Sequence, residues 1–177
     1  MTDRVVAHRG AACWATLFTH AHYLPCLAVL LQSMRACQTR YPLVVMVTET
    51  VDARTRERLT RMGCVLRDVD AWRVPHADGS LAFERFQNVW TKLRAFELYE
   101  YERVVMIDSD MLMCHNMDEL FDLPLERGMI AAALACTCNP KQIPTYPAEW
   151  TPRNCGYALR PHPLCLLYTS LSGLARQ

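Results

Sequence analysis

Residues 101–110 read YERVVMIDSD: a charged turn, an apolar run from Arg103 to Ile107, then two carboxylates, Asp108 and Asp110, with Ser109 between them. A run this short and this apolar predicts a strand buried on both faces. In open α/β sheets, ligands bind at the carboxyl ends of strands. Two carboxylates held there repel each other and are costly to leave unpaired. A divalent cation resolves both problems, and hard oxygen donors suit Mn²⁺ or Mg²⁺, which can bridge to a diphosphate. A D-x-D pair by itself equally describes a solvated turn, so its surroundings decide.

Those surroundings alternate strand and helix, which predicts an α/β domain with a largely parallel sheet. Cys13–Thr19 (CWATLFT) reads as a buried first strand. A helix follows, with Pro25 in its first turn and Leu24, Leu27, Ala28, Leu31 and Met34 on one face. Tyr41-Pro42 ends that pattern, and Leu43–Thr48 (LVVMVT) is the second strand. Asp52 is placed to cap an arginine-rich helix that stops at Gly63, with Glu57 and Arg61 spaced for a surface ion pair. The four arginines of this helix read as a solvated face. Cys64–Val69 is a third strand. Residues 70–87 carry aromatics, Pro75 and Gly79 without a period, a loop of functional length. A helix is expected over Asn88–Tyr99, a turn or short helix over Asn116–Phe121, and another buried strand over Met129–Ala135.

The stretch T-K-L-R-A-F at 91–96, the Y-E-R turn at 101–103 and the strand ending in Asp108-Ser109-Asp110 resemble the glycosyltransferase family 8 pattern. So does N-M-D-E-L-F at 116–121, against an N-x-D-E-L-F segment in that family, to which glycogenin and galactinol synthase belong. Ala15–Thr19 with Tyr23 is similar to the family's first strand and nucleotide-contacting loop. The likeness runs from about Cys13 to Ala135. It implies a GT-A fold and transfer of a hexose from a UDP-sugar to an acceptor hydroxyl on a carbohydrate, polyol or protein, with retention of configuration. By the same resemblance Asp108 and Asp110 hold Mn²⁺ or Mg²⁺, Asp110 more firmly, while Asp108 also approaches the ribose. Lys92 and Ser109 join the nucleotide-sugar site, and Leu17, Thr19 and Tyr23 line the uridine. Each type also has a plain structural role: Tyr23 at a helix start, Lys92 on a helix surface.

The family pattern continues with an N-S-G segment, a D-Q pair and a late metal-binding histidine. Asn154-Cys155-Gly156 imitates the first, but no apolar strand follows it, and His162 between Pro161 and Pro163 is a poor counterpart of the last. The domain expectation is a polar leader over 1–12, the nucleotide-sugar-binding domain over 13–156, incomplete at its C-terminus, and an irregular, proline-rich tail over 157–177 outside the fold. A non-catalytic binding module or pseudoenzyme is the alternative. A nucleotidyltransferase fits less well, because Thr19-His20-Ala21-His22 is not glycine-rich.

Composition limits the rest. The chain has 177 residues with a formal net charge of +1, so no bulk electrostatic attraction to nucleic acid is expected. No apolar run reaches the ~18 residues of a membrane span, and no signal peptide is visible, so a cytoplasmic chain is expected. Its nine cysteines are read as reduced, mostly core thiols. A zinc site on Cys136, Cys138, Cys155, His162 and Cys165 matches no common zinc spacing.

Overall fold

The computed structural model describes residues 12–72, 89–125, 129–133, 137–144 and 146–155, and the backbone of 175–176. The leader, most of the long loop that begins at Asp70, and His162 lie outside the described residues. Four parallel strands form the body of the sheet: β1 (Ala12–Phe18), β2 (Leu43–Val47), β3 (Val65–Asp68) and β4 (Arg103–Met106). Two short strands, β5 (Ile130–Ala131) and β6 (Ala175–Arg176), complete the order β3-β2-β1-β4-β6-β5. β6 runs antiparallel to both its neighbours.

β1 lies between β2 and β4, with Trp14 opposite Leu43 and Val105. Burial on both faces explains the unbroken apolar runs, and alternation divides them between two cores. Trp14, Phe18, Val45, Val47, Val105 and Ile107 enter one core, under helix α1 (Leu24–Ala36), which contributes Leu27, Leu30, Leu31 and Met34. Cys13, Ala15, Val44, Met46, Val104 and Met106 enter the other, with Ala95 and Leu98.

Helix α2 (Ala53–Arg61) starts and stops as its sequence predicts. The Asp52 carboxylate accepts from the Thr55 amide at 2.8 Å, and Glu57 pairs with Arg61 at 2.5 Å. The hydrogen bond from the Thr55 amide is the main reason the Asp52 carboxyl is held below its ordinary range. Gly63, at φ +88°, turns the chain out of the helix and donates to the Thr60 carbonyl at 2.9 Å.

Four expectations need correction. The helix expected over Asn88–Tyr99 is shorter, Val89–Glu97, and is of the 3-10 type, which the apolar spacing of Val89, Leu93 and Phe96 does not distinguish from an α-helix. Within the stretch expected as a strand over 129–135, Ile130–Ala131 are the residues that pair among the described ones, and Ile130 is exposed rather than buried. Ala175–Arg176 belongs to the sheet, although 157–177 was expected to lie outside it; the sequence there has no period to read, and two residues suffice to pair with β4. Arg56 is not part of a solvated face. It donates from Nε to the Val51 carbonyl and from Nη2 to the Thr48 carbonyl, each at 2.8 Å, and from Nη1 to Asp68. It thereby satisfies backbone acceptors just beyond β2. Among the described residues no helix is long and apolar enough to cross a membrane.

Candidate functional site

Parallel strands end together, so the carboxyl edge of the sheet collects the residues that follow β1, β2 and β4. The ladder between β1 and β4 runs one residue past the strand, through the Ile107 amide to the Ala15 carbonyl at 2.9 Å. Asp108 is therefore the first residue free of the sheet. It is partly buried, and the Met111 amide returns to its carbonyl at 3.1 Å in a tight turn. Ser109 is partly buried and Asp110 is exposed. No side-chain partner of Asp110 occurs among the described residues.

Lys92 reaches this turn from the 3-10 helix on the opposite core. Its Nζ lies 2.5 Å from Asp108 Oδ1, and the two side chains are only 19% and 22% exposed. Semi-burial makes this contact stronger than a solvated ion pair. The sequence-predicted pair is thus brought together directly. At the end of β1, Thr19 has its hydroxyl 2.8 Å from His20 Nδ1, and its carbonyl accepts from the Thr50 hydroxyl at 2.6 Å. The Thr50 hydroxyl also lies 2.7 Å from that of Thr48. Thr48 and Thr50 were missed by sequence reading; short hydroxyl side chains after a strand carry no distinctive signal.

Leu17 is partly buried against the second core, with Met46 as its register partner on β2. Its side chain has a packing role whatever its backbone does. Tyr23 is 38% exposed and stacks on His22, ring centres 4.1 Å apart. It directly precedes α1, which packs on the face of the sheet opposite to that covered by the helix of Lys92.

The loop after Asp110 is fixed from below. The Met113 amide donates to Ser33 Oγ on α1 at 3.0 Å, and Asn116 Nδ2 donates to the Cys37 carbonyl at 3.1 Å. Asp118 is buried at the amino edge, where it accepts from the Thr39 hydroxyl and from the Arg40 amide at 2.9 Å. Burial alone raises its carboxyl, but the bonds from Thr39, Arg40 and Asn116 outweigh this and hold it below the ordinary range. Thr39 in turn accepts from Trp14 Nε1 at 2.8 Å, and Phe121 packs edge-on against Trp14 at 5.0 Å. The N-M-D-E-L-F segment is therefore a structural clamp.

A metal cage of three or more His, Cys, Asp or Glu side chains does not occur among the described residues. Two carboxylates on a turn, one of them exposed, still fit Mg²⁺ or Mn²⁺. Such ions keep several waters and take further ligands from substrate phosphates. The donor set fits an ion shared with a diphosphate and does not fit a closed structural site.

Residues 15–158 match the sequence model of the family described as Glycosyl transferase family 8. Galactinol synthase 5 of Arabidopsis thaliana is 30% identical over 139 residues, which cover 77% of this chain and 41% of that protein. Galactinol synthase 2 of Ajuga reptans is 34% identical over 110 residues, 62% of this chain and 37% of its own. The chain thus spans less than half the length of these relatives. Among solved structures, the galactosyltransferase LgtC, in complex with donor and acceptor sugar analogues, superposes with a TM-score of 0.57 at 18% identity, over 73% of this chain and 49% of that one. The apo WbbM bifunctional glycosyltransferase superposes with a TM-score of 0.53 at 22% identity, over 71% of this chain and 23% of that one. At such identities the likeness establishes the GT-A fold and nothing finer.

Proposed function

This chain belongs to glycosyl transferase family 8, and we propose that it binds a UDP-hexose at the carboxyl edge of its sheet and transfers the hexose, with retention, to a hydroxyl of a carbohydrate, polyol or protein acceptor. The observation that carries the reading is the Lys92–Asp108 ion pair beside the exposed Asp110, at the point where β4 leaves the sheet.

The electrostatics support a diphosphate there only with a cation. One ammonium against two carboxylates leaves the turn one charge negative, and a diphosphate approaching it is repelled. Asp108 and Asp110 would hold Mn²⁺ or Mg²⁺, which supplies positive charge against the charge that builds on the departing diphosphate. Lys92 has three donors, so it can keep Asp108 in place while donating to a phosphate oxygen. Thr50 fixes the Thr19 carbonyl, leaving the end of β1 rigid enough to read the polar edge of a base. Tyr23 offers a half-exposed ring face for stacking.

The test is calorimetry of UDP binding with and without Mn²⁺. Mn²⁺ is expected to strengthen binding in the wild type, and Asp110→Asn to remove most of that gain, because the amide keeps the shape and loses the charge. Equal enhancement in both proteins would reduce the motif to a solvated turn. The two-carboxylate donor set also favours a second reading, a domain that binds the donor without turnover. Release of free hexose or a glycoside from UDP-hexose distinguishes the two.

A further inference from the structure

The segment after Cys136 was expected only to be irregular, yet its described residues, 137–144 and 146–155, fold back around a groove. The Asn139 side chain brackets a turn, accepting from the Ile143 amide at 2.9 Å and donating to its carbonyl at 3.4 Å. Asn139 and Gln142 take positive φ, 43° and 47°. The cavity is a groove open to solvent with a volume of about 550 Å³, within the range of small-molecule sites. Pro140, Pro144, Pro147 and Pro152 line it, and fixed prolines lower the conformational cost of holding a wall in place.

The lining selects a chemistry. Among the described residues it contains no charged side chain, although Lys141, Glu149 and Arg153 occur in the same stretch. That disfavours phosphates, carboxylates and nucleotides, whose charge would be desolvated without a partner. Tyr146 and Trp150 form an aromatic corner, ring centres 4.8 Å apart and planes 58° to each other, and Tyr146 is 43% exposed. Around them, the side-chain polar groups of Gln142, Tyr146, Trp150 and Thr151 make no hydrogen bond among the described residues. A matching ligand has an apolar C–H face for the rings and several uncharged hydroxyls for these donors and acceptors. A pyranose has both. We propose that this cavity is a binding site for a neutral saccharide, occupied independently of nucleotide and metal.

Saturation-transfer NMR on the full chain, with maltose and methyl β-galactoside as neutral probes and glucuronate as the charged control, tests this without UDP or Mn²⁺. Transfer to the sugar C–H protons is expected for at least one neutral probe and not for glucuronate. Trp150→Ala is expected to weaken binding by about tenfold, the loss of one stacking partner. Gln142→Ala, at an exposed turn position where the backbone bond to the Asn139 carbonyl is kept, should weaken it several-fold and carries the test if Trp150→Ala unfolds. No transfer from either neutral probe, equal transfer from glucuronate, or unchanged binding in folded variants would overturn the proposal. UDP calorimetry on the same variants should be unaffected, so failure here leaves the donor reading standing, and the reverse.

Discussion

Replacing Asp118 by alanine should cost stability far out of proportion to a lost surface charge. The carboxylate is 7% exposed and accepts from the Thr39 hydroxyl, the Arg40 amide and Arg40 Nε, the last at 3.4 Å. The guanidinium arm is 71% exposed and contributes little. The other two are charge-assisted bonds to semi-buried donors, each worth about 1.5 kcal/mol or somewhat more. Their sum is about 3 kcal/mol, which lowers Tm by roughly 6–12 °C for a domain of this size. Asp118→Asn retains an acceptor for Thr39 but turns a donor towards the Arg40 amide, so it should lose about 2 kcal/mol. Urea unfolding followed by tryptophan fluorescence measures both. The pH dependence follows from the lowered carboxyl. Its stabilisation is fully present above the unfolded value of about 3.9 and is lost as pH falls through the lower folded value. The gap between wild type and Asp118→Asn should be constant from neutral pH to about pH 5 and close below about pH 4. A loss under about 0.5 kcal/mol for the alanine variant would refute the clamp.

Three further outcomes follow from other sites. Lys92→Gln leaves Asp108 and Asp110 uncompensated, so Mn²⁺ should bind the nucleotide-free protein several-fold more tightly while UDP binds more weakly; isothermal titration reads both, and unchanged metal affinity would mean that Lys92 does not oppose the cation. Thr16 is fully buried and its hydroxyl has no partner among the described residues, so Thr16→Val should raise stability by about 1 kcal/mol in a thermal melt; a loss would reveal a partner such as a bound water. Burial pushes the Cys64 thiol up to about 11, and Cys13 still higher, whereas Cys114 is exposed. At neutral pH a maleimide should modify Cys114 in the folded protein and reach Cys13 and Cys64 only in denaturant, as peptide mass mapping would show.

What the sequence made legible was whatever depends on short-range pattern. LVVMV and RVVM are buried strands because nothing polar interrupts them, and Asp52 and Gly63 mark the ends of α2 by their own side-chain and backbone chemistry. What it hid depends on distant partners. The Asp118 bonds to Thr39 and Arg40 cross nearly eighty residues, so the segment was recognisable as a family signature while its mechanical role was not. Arg56 looked like its neighbours on α2 until the fold put the Thr48 and Val51 carbonyls beside it. The aromatic corner of Tyr146 and Trp150 lies in a stretch whose many prolines gave no period to read.

The clamp and the candidate site are two ends of one loop. Ile107 is fixed by the β4–β1 ladder, Asp108 by Lys92, Met113 by Ser33 on α1, and Asp118 by Thr39 and Arg40. Between Asp108 and Met113 lie only residues 109–112, closed into a turn by the bond from the Met111 amide to the Asp108 carbonyl, and Asp110 is among them. A span this short, tied at both ends, holds few conformations, so little entropy remains to be lost when Asp110 takes up a ligand. Exposure at Asp110 therefore does not imply disorder. The carboxylate is open to solvent because its neighbours are fixed, an arrangement suited to an ion that must also accept ligands from a substrate.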